Sequence, residues 1–347
     1  MSNFTEKVIY MRRKVLSIAI PSYNVEAYLE KNVSSLAETT VADLLDIIIV
    51  DDGSVDKTSQ VADGLVERFD CARVIHKENG GYGSAVNRAI EVAEGTYFCV
   101  VDADDYVDTP VFEQFIDRLK DIDADLVLND YREVDPDGET ISVYRQSDKL
   151  PVNSVFRLEE WAREFDPFST GCIGVHTGCV KTGILKEMPP CHEHHFYVDR
   201  EYSLYPLVEI KTAAYINLVS RCYLLGREGQ SADRKTQIKH YEQATDVTEY
   251  LYAWWKENRS FFASHPNIEW CYFRHALHHD RMCYAMQLSN QDRAAGKAKI
   301  KSHDEWVRGN WPEFYASNPY VPVSILRKSN FHLFGLASFV YRKTLMK

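Results

Sequence analysis

Asp102-Ala103-Asp104 places two carboxylates one residue apart at the end of an apolar run, Tyr97-Phe98-Cys99-Val100-Val101. A strand that ends this way at the carboxyl edge of a sheet presents oxygen ligands to a hard divalent cation, which in turn holds a diphosphate. Acidic residues also crowd strand ends as plain solvated turns. The triplet gains weight from a second acidic strand end upstream, Ile47-Ile48-Ile49-Val50-Asp51-Asp52-Gly53-Ser54. Two strands that empty carboxylates onto one edge point to a nucleotide and metal site.

Such a site needs alternating strands and helices to position it. Strand 15–20 leads through Pro21-Ser22-Tyr23-Asn24 into a helix with apolar positions Val25, Leu29, Val33 and Leu36, for which Asn24 is the natural N-cap. Strand 47–50 leads through Asp51-Asp52-Gly53-Ser54 into a helix carrying Val61, Leu65, Val66 and Phe69. A short strand at 73–75 leads through Glu78-Asn79-Gly80-Gly81-Tyr82-Gly83 into a third helix from Ser84 to Ala93, stopped by Gly95 before strand 97–101. This alternation predicts an α/β fold with a doubly wound, mostly parallel sheet, its crevice beyond the carboxyl ends of the strands. Leu126-Val127-Leu128 reads as a further strand and 135–138 as a turn. Residues 151–196 read as mixed, with glycines 171, 174, 178 and 183 marking loops, 197–208 as helix, 213–225 as strand or strand pair, and everything from about 234 as aromatic-rich helix.

Composition sets outer bounds. The 347 residues are 45% hydrophobic and 26% charged, ordinary for a globular chain, and the net charge of −11 argues against a general nucleic-acid-binding surface. Eight scattered cysteines with no C-x-x-C pair suit a reduced, cytoplasmic setting. Arg12-Arg13-Lys14 before Val15–Ile20 has the charge order of a secretory leader, but the apolar run stops at Pro21 and reads better as a buried strand. No stretch approaches a membrane-spanning length. Gly81-Tyr82-Gly83 lacks the third glycine of a dinucleotide fingerprint, with Val86 in its place, and follows the third strand. Cys191-His192-Glu193-His194-His195 matches no zinc spacing, and Pro189-Pro190 make it an irregular loop. His275, His278 and His279 fit a helix face, and core packing is the first explanation for Trp254, Trp255, Trp270 and Tyr272.

The ordered set Pro21-Ser22-Tyr23-Asn24, Val50-Asp51-Asp52-Gly53-Ser54-x-Asp56-x-Thr58, Asn79-Gly80-Gly81-Tyr82-Gly83-Ser84-Ala85-Val86-Asn87, Ala93-Glu94-Gly95 and Asp102-Ala103-Asp104-Asp105 resembles the family 2 glycosyltransferases. That resemblance is strong over the first third of the chain and looser to about residue 231. It implies a GT-A fold, a nucleotide-diphosphate sugar donor (a UDP-sugar favoured), Mn²⁺ or Mg²⁺, and inversion at the anomeric carbon. By the same resemblance Asp104 is the metal ligand, with Asp102 at the ribose or on the metal through water. Asp52 reads the nucleotide base over a floor of Pro21 and Tyr23. Asn79, Gly80, Gly81 and Gly83 let the backbone approach the donor, although a tight turn explains the glycines equally.

Inverting transfer needs a base opposite the leaving group. Asp199, in Phe196-Tyr197-Val198-Asp199-Arg200-Glu201-Tyr202, falls on the second position of the family's Glu-Asp pair, with Val198 replacing the first acid. Glu201 is the competing base, and either is also an ordinary helix-start carboxylate. Gly226-Arg227-Glu228-Gly229-Gln230-Ser231 resembles a loop that closes over the donor, with Arg227 set to pair with the diphosphate. Ala85-Val86-Asn87 departs from the family's Ala-Arg-Asn and lacks that arginine.

After Glu313 no acidic residue appears, and basic residues flank an apolar series from Phe331 to Val340, a composition suited to an anionic membrane surface or to a helix packed on the body. The expectation is therefore a catalytic nucleotide-sugar-binding domain over 1–230 and a helical region over 231–347 associated with acceptor or membrane. The enzyme would be cytoplasmic, peripheral at the inner face of the membrane, and act on a glycan or lipid-linked acceptor in envelope polysaccharide synthesis. Two alternatives stand beside it: transfer to a polyprenyl phosphate, and a non-catalytic nucleotide-sugar-binding protein.

Overall fold

The computed structural model describes residues 14–169, 171–226 and 233–344. The apolar runs become β1 (Leu16–Ser22), β2 (Leu45–Asp51), β3 (Ala72–His76) and β4 (Tyr97–Val100), which lie parallel in the order β3-β2-β1-β4. The sheet continues through β5 (Tyr106–Val107), β6 (Leu126–Val134), β7 (Thr140–Tyr144), β8 (Val155–Arg157), β9 (Gly178–Lys181) and β10 (Thr212–Leu224). Beyond β4 the path runs β9-β6-β10-β5, with β7 paired to β6 and β8 to β10. Strand β9 is antiparallel to both β4 and β6, whereas β6 and β10 run parallel.

Two faces of this sheet are covered. On one, Leu16, Ile18, Ile20, Ile47 and Ile49 pack against α1 (Leu29–Ala37), α2 (Thr58–Arg68) and, through Phe115 and Ile116, later helix residues at 109–119. The opposite face sets Ala19, Ile48, Val50, Phe98 and Val100 under α3 (Gly81–Val92). Strict alternation along β1 and β2 divides these side chains between the two cores. Each fully buried Leu or Ile contributes about 1.5–3 kcal/mol relative to an exposed one, so the register of these strands is tightly specified.

The remaining helices are α4 (Thr109–Leu119), α5 (Leu158–Trp161), α6 (Thr182–Glu187), α7 (Asp199–Leu204), α8 (Arg234–Lys239) and α9 (Tyr241–Glu257). They are followed by α10 (Arg259–Ser264), α11 (Pro266–Leu288), α12 (Arg293–Asn310), α13 (Pro312–Ser317), α14 (Val321–Lys328) and α15 (Phe334–Thr344). Every described element after Leu224 is a helix. Val247, Leu251, Trp255 and Tyr272 of α9 and α11 join the same core as the α3 face of the sheet. Trp254 stacks on Tyr205 at 4.7 Å between centroids, and His275 accepts the Ile173 N–H at 3.0 Å, so both serve packing.

Three local expectations change. Asn24 does not cap α1, which starts four residues after Val25. Its φ is +53°, and its Oδ1 accepts the Val55 N–H at 2.9 Å, tying the end of β1 to the loop after β2. Residues 178–181, read as loop, form β9, because a four-residue strand shows no period and is held by partners on both sides. The helix expected over 197–208 is α7 followed by a 3₁₀ turn, Tyr205–Val208.

Gly95 sits where α3 hands over to β4. A Cβ there would press on the backbone nitrogen of Ser17, while the Gly95 N–H donates to Ser17 Oγ at 2.8 Å. Gly95→Ala should therefore lower unfolding stability by about 1–3 kcal/mol in a urea titration. A Cβ at Gly183 meets nothing within 4 Å, so Gly183→Ala should stay within about 0.5 kcal/mol of the parent.

Candidate active site

The acidic corner forms where β4 ends. The Asp105 N–H donates to the Asp102 carbonyl at 2.9 Å, closing a turn that brings residues 102 and 105 to one side. Asn32 of α1, fully buried, donates through Nδ2 to the carbonyls of both Asp102 and Asp105, at 2.8 and 2.9 Å. Asp105 Oδ1 accepts the Leu224 N–H at 2.9 Å, and Tyr82 donates its hydroxyl proton to Asp102 Oδ1 at 3.0 Å. His176 completes the corner with Nδ1 3.6 Å from Asp105 Oδ2. Donor atoms of Asp102, Asp105 and His176 all lie within 4.8 Å of one another.

Its electrostatics are lopsided. Burial, then the neighbouring Asp104 charge, push the Asp102 carboxyl up to about 7, and burial with Asp102 raises Asp105 as well. Burial, with Arg221 and Arg200 nearby, pulls His176 down to about 3, leaving a neutral imidazole. Arg221 donates from Nη1 to the carbonyls of Val100 and Val175 at 2.9 and 3.0 Å, fastening the end of β4 to the segment that carries His176. Two crowded carboxylates and a neutral imidazole form a hard oxygen and nitrogen set that suits a divalent cation. Asp104, the ligand implied by resemblance, stands outside the close-set group; its charge acts on both Asp102 and Asp105.

The glycine loop is organised by Asp52. Its carboxylate accepts the Gly80 and Gly81 N–H groups at 2.9 and 2.7 Å and Lys77 Nζ at 2.6 Å, while Asn79 Nδ2 donates to its carbonyl. Asp51 is likewise occupied, by the Ser54 N–H, the Ser59 hydroxyl and His76. Pro21 and Tyr23 lie at the end of β1, and Tyr23 is half exposed. Gly81, at φ +85°, and Gly83 admit the chain's own 192–194 backbone rather than open space. A Cβ at Gly83 would collide with the His192 carbonyl, and the His194 N–H donates to Gly80 O at 2.6 Å. Asn87 clamps the same loop through both Cys191 N and O, and Val86, where an arginine was missing, is buried in the core.

Helix α7 sets the two candidate bases in different surroundings. Glu201 is fully buried, and its carboxylate accepts the His192 N–H at 2.9 Å and lies 3.1 Å from His192 Nδ1. Asp199 keeps 31% of its side chain exposed, 3.7 Å from Arg200 Nε, and its pKa is raised by burial. Its charge is felt by both Tyr82 and Asp102, so it borders the acidic corner. Arg227 lies outside the described residues.

Sequence reasoning passed over Asp105, His176, Tyr82 and Arg221. The Asp105 signal was present in Asp102-Ala103-Asp104-Asp105 and needed only the turn geometry. His176, between Gly174 and Gly178, sits in a stretch without periodicity and carried no signal.

Residues 17–179 match the family described as glycosyl transferase family 2. The chain is 39% identical over 113 residues to the uncharacterized glycosyltransferase EpsJ of Bacillus subtilis, covering 33% of each protein. It is 36% identical over 151 residues to the chondroitin synthase of Pasteurella multocida, 40% of this chain and 16% of that one. The chain thus spans a third or less of the length of either relative. Among solved structures, residues 1–349 of TarS from S. aureus in complex with UDP-GlcNAc superpose with a TM-score of 0.61 at 18% identity, over 94% of this chain and 89% of that one. That likeness is one of fold, and it bears out the expected GT-A architecture with its helical C-terminal region.

The raised Asp102 pKa has a pH consequence. Because the folded value stands above the ordinary 3.8, its stabilising contribution is full below 3.8 and is lost as pH rises through about 7. In chelator, thermal stability should therefore fall over that window, and Asp102→Asn should reduce the fall. Added Mn²⁺ should raise the melting temperature of the parent above pH ~7 but not that of the variant. Identical pH profiles for parent and variant would show that Asp102 is not the strained group.

Proposed function

We propose that this chain, whose residues 17–179 match glycosyl transferase family 2 and whose fold is that of the GT-A enzymes, transfers a sugar from a nucleotide-diphosphate sugar to an acceptor hydroxyl with inversion. The observation that carries the reading is the Asp102–Asp105–His176 corner at the carboxyl end of β4, bordered by the half-buried carboxylate of Asp199. Crowded acids beside a partly buried base are what a metal-bound diphosphate and an attacking hydroxyl require.

Asp102, Asp105 and His176 would hold Mn²⁺ or Mg²⁺, with the Asp104 charge adding to the same spot. Bound there, the ion supplies Lewis-acid compensation for charge developing on the leaving diphosphate. Tyr23, half exposed at the end of β1, offers a face for the nucleotide base together with Pro21. Asp52 uses three of about four acceptor positions on its own loop, leaving one for a ring N–H. Asn79, Gly80, Gly81 and Gly83 shape the donor side of the crevice indirectly, by seating the 192–194 segment. Arg227 is the proposed partner of the diphosphate.

Asp199 takes the hydroxyl proton as the acceptor oxygen bonds to the anomeric carbon and the bond to the diphosphate breaks. Burial raises its pKa, which strengthens it as a base, and Arg200 beside it favours the charged form. The buried ties of Glu201 to His192 favour Asp199 for this role. A UDP-sugar is the favoured donor, in keeping with the nucleotide sugar bound by TarS. The acceptor is a glycan or lipid-linked glycan of the cell envelope, supported by the polymer-forming chondroitin synthase among the relatives. Eight free thiols suit action in the reducing cytoplasm.

Calorimetric titration with a panel of nucleoside diphosphates, in Mn²⁺ and in chelator, tests the site: UDP should bind with metal, and Asp104→Ala should weaken that binding. Asp199→Asn should keep nucleotide affinity while transfer to a hydroxyl falls by about 10²–10⁴-fold. Full activity of Asp199→Asn on a polyprenyl phosphate, which needs no strong base, would redirect the reading to that acceptor. Binding with neither transfer nor donor hydrolysis would make the protein a nucleotide-sugar binder.

A further inference from the structure

Six of the exposed large apolar side chains cluster near the end of the chain: Val321, Ile325, Leu333, Leu336, Phe339 and Val340. Leu336, Phe339, Val340 and Lys343 recur at i, i+3, i+4 and i+7, one face of α15, with Leu333 one turn earlier. That face points to solvent, with Leu336 59% and Phe339 47% exposed. The opposite face is used for packing: Phe334 is buried with Tyr284, Leu288 and Ile300, and Ser338 donates to the Leu288 carbonyl at 2.8 Å. An apolar stripe turned outward on an otherwise packed helix is not a core surface.

Charge around the stripe is the reverse of the rest of the molecule. Between residues 293 and 344 there are nine Lys and Arg against three Asp and Glu, in a chain whose net charge is −11. All three acids are engaged: Asp304 by Arg327, Glu305 by Lys301 and Glu313 by Arg259. Lys328 at the end of α14 and Lys343 on α15 are exposed, with Lys343 Nζ lying over the Phe339 ring at 4.8 Å. No helix among the described residues is long and apolar enough to cross a membrane.

We infer that the outer face of α14 and α15 docks on an anionic lipid surface, apolar side chains entering the headgroup boundary and Lys328 and Lys343 meeting lipid phosphates. The segregation of charge selects this occupant, because a neutral or basic surface would gain nothing from the lysines and the remaining acidic body is repelled from the bilayer. The inference stands apart from the transfer reaction and is read without it.

Co-sedimentation of the full chain with phosphatidylcholine vesicles, with and without about one-third phosphatidylglycerol, is the test. Anionic vesicles should bind at least about tenfold more protein than neutral ones, and rising salt should erase the difference. Leu336→Glu with Phe339→Glu should cut binding about tenfold, and Lys328→Glu with Lys343→Glu should remove the anionic preference, both at an unchanged melting temperature. Equal binding to both vesicle types, or variants that bind as the parent does, would overturn it. So would an oligomer that the apolar-face variants dissolve while vesicles stay unbound, since the stripe would then join two copies of this chain.

Discussion

Like-charge crowding at the end of β4 is the constraint around which the rest is arranged. Asp102, Asp104 and Asp105 stand within four residues, with Asp199 near enough to act on Asp102, and burial makes the Asp102 and Asp105 charges harder to carry. Left to itself such a corner would splay into solvent. It is held by groups that bind its backbone rather than neutralise its carboxylates: Asn32 on two carbonyls, and Arg221 on Val100 and Val175. The Arg221 charge eases Asp102 and Asp105, while its Nη1 donates to carbonyls. Burial and like charge still outweigh that relief for Asp102 and Asp105, whose carboxyls stay raised.

A second device couples that corner to the helical part of the chain. Residues 191–195 lie across Gly81 and Gly83, are clamped by Asn87, and are tied by His192 to the buried Glu201 of α7. The His192 ring also stacks on Tyr250 of α9, with centroids 3.6 Å apart. The glycine loop, the helix that carries Asp199 and the helical region thus share one segment.

The glycines show how one residue pattern serves two readings. Gly80-Gly81-Tyr82-Gly83 is required by the sheet edge because backbone must approach closely there, but the approaching backbone is the chain's own. Tyr82, between them, sends its hydroxyl to Asp102. The loop consequently acts on the acidic corner from its side chain and on the 191–195 segment from its missing Cβ atoms.

What the sequence by itself determined is the part governed by local period and turn chemistry. Four parallel strands and three helices in the first hundred residues follow from alternating apolar runs and glycine stops, and with them the edge on which Asp52, Asp102 and Asp104 were sought. Only the tertiary structure decided which side chains meet. Asp105 replaced Asp104 in the close-set group because a turn hydrogen bond aligns positions 102 and 105. His176 arrived from 71 residues downstream on the lead-in to β9, a strand too short to leave a periodic signal. Glu201 and Asp199, two residues apart on one helix, took opposite fates because burial against His192 is a property of the packed neighbour and not of either residue. Periodicity reports which face of an element is buried; it carries no information about which distant element will cover it.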